Sequence, residues 1–481
     1  MQIGSIDVNK FIAENAILDD KVDHRQKFHI MAPVGLINDP NGFCKFKGKY
    51  YLFYQTHPFK AYHGVKYWAK LTSENLVNWE FNGIVIKPEF WFEKDGCFSG
   101  NAFVENDKMY LFYTGNLWKD GREFEVGEEY QCLAVSEDGD KFEKLSEPII
   151  GLPDFSEFTP HLRDPRVWKH EDKYYMIIGA QKINEKPAIM LYSSEDLVKW
   201  NQEGILLDST HGEHSKGYMW ECPGYAKING KDILFICPQG MTYEGNITKN
   251  RHQSGYLIGN IDYEKCIYHY DYHNYNLLDY GFEFYSPQIF TEDNGRHLCI
   301  AWMGLPYEDD HPTVKDNWIH CLTLPTELIM KNEKLYRRPI KELELLRGKH
   351  IPIDLTISNS FKADCFELLM EFDSNCDVNI DLRCSENMDS LTHLYYDSHS
   401  NTIGLKRINQ RHLYDGSRTI KLSDAKDKRK LHVFVDISSI EIFINDGEYA
   451  LTTRIFTDKH DIYNNISTNG NLTLLKCWEL G

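Results

Sequence analysis

At 481 residues, with 42% hydrophobic and 26% charged side chains, the chain is too long for one hydrophobic core and has the composition of an ordinary folded protein, so two domains are expected. A formal net charge of −19 sets it against nucleic-acid phosphates and anionic membrane surfaces, which argues against both as partners. Its 12 cysteines stand singly, without a Cys-x-x-Cys pair, so the sequence signals neither a zinc site nor a disulfide framework, and no cofactor is expected. Residues 1–20 lack a basic stretch leading into an apolar one, and no apolar run reaches bilayer length, which points to a cytoplasmic protein.

Moving along the chain, one pattern recurs about every 60 residues: an apolar-aromatic strand introduced by a basic residue. It reads KYYLFYQ from Lys49, KMYLFYTG from Lys108, KYYMIIGAQ from Lys173, KDILFICPQG from Lys231 and RHLCIAWMG from Arg296. A second echo, SENLVNW ending at Trp79, returns as SEDLVKW ending at Trp200. Units of this size hold a four-stranded sheet with its loops, and five of them predict a five-bladed β-propeller over residues 1–340.

Nine to eleven residues upstream of these strands stand Asp39 (NDPNGF), Ser99 (FSGNAF), Asp164 (RDPRVW), Glu221 (ECPGY) and Tyr285 (YSPQIF). Equivalent positions in radially repeated sheets face a common axis, so these side chains are expected to converge. Each acid has an ordinary structural explanation on its own, such as an Asp-Pro-Asn-Gly turn or an Arg163–Asp164 ion pair. Three acids at matching places are harder to explain that way, and they point to catalysis.

After the fifth unit, YRRPIKELELLRG ends near Gly348, and short alternating strands follow, such as LHVFVDISSIEIFIND and YALTTRIF. This predicts a C-terminal β-sandwich within residues 341–481. It shows no acid constellation, so a stabilising or oligomerising role is expected, and a homo-oligomer is left open.

These motifs resemble glycoside hydrolase family 32, the invertases and fructan hydrolases. HIMAPVGLINDPNG from His29 resembles the family's nucleophile motif, LRDP from Leu162 its transition-state-stabiliser motif and ECPG from Glu221 its acid/base motif. FSGN, YSPQ, WIHCLTLP and SSIEIFINDG agree as well, and the resemblance covers almost the whole chain. It implies a retaining hydrolase with Asp39 as nucleophile, Glu221 as acid/base and Asp164 gripping sugar hydroxyls, while Arg163 helps hold an acid ionised. It also implies a fructosyl pocket lined by Ile37, Asn38, Gln55, Phe98, Ser99, Tyr285 and Trp302.

Between Gln55 and Trp79 the chain departs from many sucrose-cleaving relatives, reading YHGVKYWAK where they carry aromatic walls. A basic cluster in an acidic protein suits a phosphorylated sugar, and this pattern resembles the bacterial sucrose-6-phosphate hydrolases. His63, Lys66 and Lys70 are therefore expected to face the phosphate. The expected substrates are sucrose-6-phosphate and sucrose, with short fructans as a further possibility. A general β-fructofuranosidase and a non-catalytic sugar-binding protein stand as alternatives, the second opposed by the three acids.

Overall fold

The computed structural model describes residues 7–17, 21–119, 127–209, 217–241, 250–271, 275–410, 415–423 and 426–481. Its described residues form seven β-sheets, with one α-helix, Val8–Asn15, capped by the Asp7 carboxylate. No helix among them is long and apolar enough to cross a membrane.

The five recurring segments become the second strands of the first five sheets: Lys49–His57, Lys108–Trp118, Lys173–Lys182, Lys231–Gln239 and His297–Met303. Their near-continuous apolar runs are explained by burial on both faces, since neighbouring sheets pack against each side. Each pairs antiparallel with a preceding strand: Gly35–Phe46, Cys97–Glu105, Phe158–His170, Met219–Ile228 and Tyr285–Thr291. These five innermost strands touch one another in cyclic order, and the fifth returns to the first. Trp318–Ile319, from the connection between the second and third strands of the fifth sheet, pairs in parallel with Gly35–Leu36 and so joins the last unit to the first.

The SENLVNW and SEDLVKW echoes fold as the same turn. Ser73 Oγ accepts the amides of Asn75 and Leu76, and Ser194 Oγ accepts those of Asp196 and Leu197. Leu76 and Leu197 both take φ of +66°, and each tryptophan indole donates back to that leucine's carbonyl, at 3.0 Å and 3.1 Å.

Beyond the short 3-10 helix Lys341–Leu346, two six-stranded antiparallel sheets pack face to face across one apolar core that includes Phe366, Leu368, Ile380, Leu394, Val433 and Ile442. The alternating pattern of LHVFVDISSIEIFIND thus becomes a paired hairpin, Lys428–Asp436 with Ser439–Ile444. This part is fastened to the first sheets through His29, whose ring lies between Asp436 at 2.8 Å and Glu441 at 3.1 Å, all of it buried.

Candidate active site

Every innermost strand breaks its register at the same level. The unpaired residues are Asn38–Asp39 in the first sheet, Ser99 in the second, Asp164–Pro165 in the third, Cys222–Pro223 in the fourth and Ser286–Pro287 in the fifth. A β-bulge turns a side chain out of the pleat, and proline, with no amide to pair, is tolerated there. Asp164, Cys222 and Ser286 all sit at positive φ, of 68°, 46° and 50°.

The bulge residues meet at the axis. Ser99 Oγ donates to Asp39 Oδ2 at 2.6 Å, and the Cys222 thiol approaches the same oxygen at 3.7 Å. The Cys222 amide donates to Asp164 Oδ2 at 2.8 Å, and Ser286 Oγ donates to the Cys222 sulfur at 3.0 Å. The Asp164 amide is held in turn by Thr114 Oγ1 at 2.9 Å. Glu221 and Tyr285, aligned from sequence with Asp39 and Asp164, lie one residue ahead of the bulge. The members they replace at the bulge itself are Cys222 and Ser286. The convergence of the three acids survives this shift.

Glu221 is clamped on both oxygens. Arg163 donates to Oε1 through Nε at 3.1 Å and Nη2 at 2.8 Å, and the Tyr285 hydroxyl donates to Oε2 at 2.7 Å. The Arg163 guanidinium is shared with Glu129, 3.0 Å from Nη1. Burial pushes the Glu129 carboxyl up, but Arg163 and His161 outweigh it and hold Glu129 down at about 2. Asp39 is pushed up to about 6, first by burial and then by the charge of Glu221, against the donors Ser99 and Asn38 and the Lys66 ammonium. Asp164 is raised by burial, with Glu221 and Asp39 adding to it and Arg163 opposing.

Most of the residues expected to line the pocket come together here. Asn38 Nδ2 donates to Gln55 Oε1 at 2.7 Å, and Gln55 Nε2 donates to Ser99 Oγ at 2.7 Å. The Trp302 ring lies 6.2 Å from Tyr285 and 6.1 Å from His63. Phe98 is half-buried against Trp118, and its carbonyl accepts the Trp68 indole. Two expectations are corrected. Ile37 is fully buried in the apolar cluster with Val34 and Leu322, so it packs beneath the site without reaching into it. Lys70 faces away from the axis and binds Asp140 at 2.6 Å and the Gly139 carbonyl at 2.9 Å. Lys66 is inside the site but buried, with its ammonium on Asn38 Oδ1 at 3.1 Å and His63 Nδ1 at 3.0 Å.

Cys222, Ser286, Thr114 and Glu129 went unrecognised in the sequence. The dipeptides Cys222-Pro223 and Ser286-Pro287 echo Asp39-Pro40 and Asp164-Pro165, a signal that would have found the first two. Glu129, within GEEYQC, carries no such mark. A groove of about 910 Å³ lies elsewhere, between the two groups of sheets. It is lined by charges that pair with one another, such as Arg296–Glu342 and Arg347–Glu367.

Residues 29–339 match the glycosyl hydrolases family 32 N-terminal domain, and residues 341–479 match the family 32 C-terminal domain. A sucrose-6-phosphate hydrolase of Bacillus subtilis is 40% identical over 90% of this chain and 89% of its own. Among solved structures, a sucrose-6-phosphate hydrolase from Lactobacillus gasseri superposes with a TM-score of 0.88 at 28% identity, covering 100% of this chain and 98% of that one. A family 32 β-fructofuranosidase variant from Bombyx mori, solved with sucrose, gives 0.86 at 29% identity, covering 98% and 97%. Fold, site and comparisons together define a glycoside hydrolase. More narrowly, the chain belongs to glycosyl hydrolase family 32.

Proposed function

We propose that this protein hydrolyses the β-fructofuranosyl bond of sucrose-6-phosphate, and of sucrose, to release fructose. The observation that carries this reading is the arrangement of Asp39 and Glu221 around one axis, one carboxylate oriented by Ser99 and the other clamped by Arg163 and Tyr285. An Asp39 oxygen attacks the anomeric C2 while Glu221 gives its proton to the departing glycosidic oxygen. Glucose-6-phosphate, or glucose, leaves, and a fructosyl ester remains on Asp39. Glu221 then takes a proton from water, whose oxygen attacks C2, and the Asp39 carboxylate is regenerated as fructose leaves. Asp164 accepts hydrogen bonds from fructosyl hydroxyls, which strengthen as C2 gains positive charge.

In the same reading, the five cyclic sheets form a five-bladed β-propeller and the last two a β-sandwich, divided near residue 340. The cyclic contacts of the innermost strands and the single apolar core of the last two sheets support it. Preference for the phosphorylated sugar draws on the names of the relatives. The placement of Lys66 and Lys70 favours a second reading, a β-fructofuranosidase indifferent to phosphate, because these two of the three expected phosphate ligands are engaged within the protein. A fructose-release assay on sucrose-6-phosphate, sucrose and inulin separates the two. A higher kcat/KM for the phosphorylated sugar supports the first and equal values support the second, while no release from any of them overturns both. Glu221→Gln is expected to lower kcat by about 10²- to 10⁴-fold in a protein that still folds.

A further inference from the structure

One unbroken line of donors leads from Lys66 to the carboxylate of Asp39. Lys66 Nζ donates to Asn38 Oδ1 at 3.1 Å, Asn38 Nδ2 to Gln55 Oε1 at 2.7 Å, Gln55 Nε2 to Ser99 Oγ at 2.7 Å, and Ser99 Oγ to Asp39 Oδ2 at 2.6 Å. Lys66, Asn38, Gln55 and Ser99 are all less than 5% exposed. An ammonium has only donors, so Asn38 must turn its oxygen to Lys66 and its amide nitrogen to Gln55. The same constraint then orients Gln55, and it leaves the Ser99 proton nowhere to point but Asp39. Lys66 also donates to His63 Nδ1, which fixes that ring as the neutral Nε2–H tautomer, and the buried Nε2 has no hydrogen-bond partner among the described residues.

We propose that Lys66 is a positioning residue for the nucleophile. Its charge polarises the Asn38–Gln55–Ser99 chain toward Asp39, so that it serves fructosyl transfer from every substrate and does not read the phosphate. This rests on Asp39 acting as proposed above. Aligned bonds strengthen one another in a low-dielectric interior, and a cation at the head of the chain adds to each link. Burial brings the Lys66 ammonium down to about 7 against the pull of Asp39, so lysine and aspartate are charged together near neutral pH. Asp39 is faced by Glu221, Asp164, Cys222, Cys237 and Lys66, and Lys66 by Asp39, His57, His63 and His320.

The test compares wild type, Lys66→Met, Ser99→Ala and the double variant on sucrose and sucrose-6-phosphate across pH. Lys66→Met is expected to lower kcat by about 10- to 100-fold on both sugars with little change in KM, and to move the acid limb of the pH profile upward. Ser99→Ala should do the same, and the double variant should lose little beyond the worse single one, because both cut one chain. Losses that multiply would overturn the relay. So would a Lys66→Met variant impaired only on the phosphorylated sugar, through KM. Should Lys66→Met fail to fold, Lys66→Gln carries the same comparison, keeping a donor without the charge. A wild type that releases no fructose from either sugar overturns the proposed function itself, a result distinct from these.

Discussion

In the reaction proposed above Asp39 acts only as a carboxylate, yet burial and Glu221 push its carboxyl up to about 6. The sign follows directly: kcat/KM should fall as pH drops through about 6, and a pH–rate profile on sucrose measures where the limb lies. Asp164 invites a sharper comparison. Asp164→Asn keeps an oxygen for the Cys222 amide but gives up the charge, so kcat should fall by about 10²-fold or more at an unchanged Tm. Asp164→Ala loses that acceptor too and should melt earlier, which differential scanning calorimetry would register. At this scale the sequence was legible where a residue repeats a role: Asp39, Ser99 and Asp164 were found at their true places by spacing alone. It was opaque where the role depends on what lies across the axis. Lys66 reads from the sequence as a ligand for a substrate phosphate, and only the fold discloses that it heads a buried donor line.

Among elements, the bulge is the device that makes the site. It turns five otherwise ordinary inner strands into a rosette, and the X-Pro dipeptides mark four of its five positions. The second strand has no proline there and uses Gly100 instead, where a methyl group would run into the Phe112 carbonyl oxygen. Gly100→Ala is therefore expected to force the backbone apart, lower the Tm and pull Ser99 off Asp39, with activity falling alongside stability. The strands themselves were plain from their apolar-aromatic runs. The one-residue offset of Glu221 and Tyr285 was not, because a bulge breaks the period-two rule by which side chains are assigned to faces.

For the whole molecule, two of the motifs that carried the family resemblance prove to be fasteners. His29 opens the nucleophile motif, and Glu441 lies in SSIEIFINDG. They meet across 412 residues, and Asp436 closes the clasp by accepting the amides of Lys27, Phe28 and His29. Burial lowers the affinity of His29 for its proton, but hydrogen bonds to Asp436 and Glu441 and their charges outweigh this and raise it to about 9. The unfolded histidine titrates near 6.5, so this stabilisation is fully present below about 6.5 and is lost as pH rises through about 9. His29→Gln should thus lower the Tm by a few degrees at pH 6, and the gap to wild type should narrow above pH 9, as thermal melts across pH would show. The sequence distinguished the two groups of sheets by their differing strand patterns. It could not reveal the clasp, since nothing local to His29 names a partner so distant.

The strand Trp318–Ile319, which lies beside Gly35–Leu36, has a consequence for the order of events in synthesis. The strand bearing Asp39 is among the first to leave the ribosome, yet Gly35 and Leu36 at its start gain their neighbour on that side only once residue 319 has emerged. A growing chain therefore carries this short stretch of strand edge unpaired until the later segment docks. On this geometry the first and last units of the ring are joined only after about two thirds of the chain has been made.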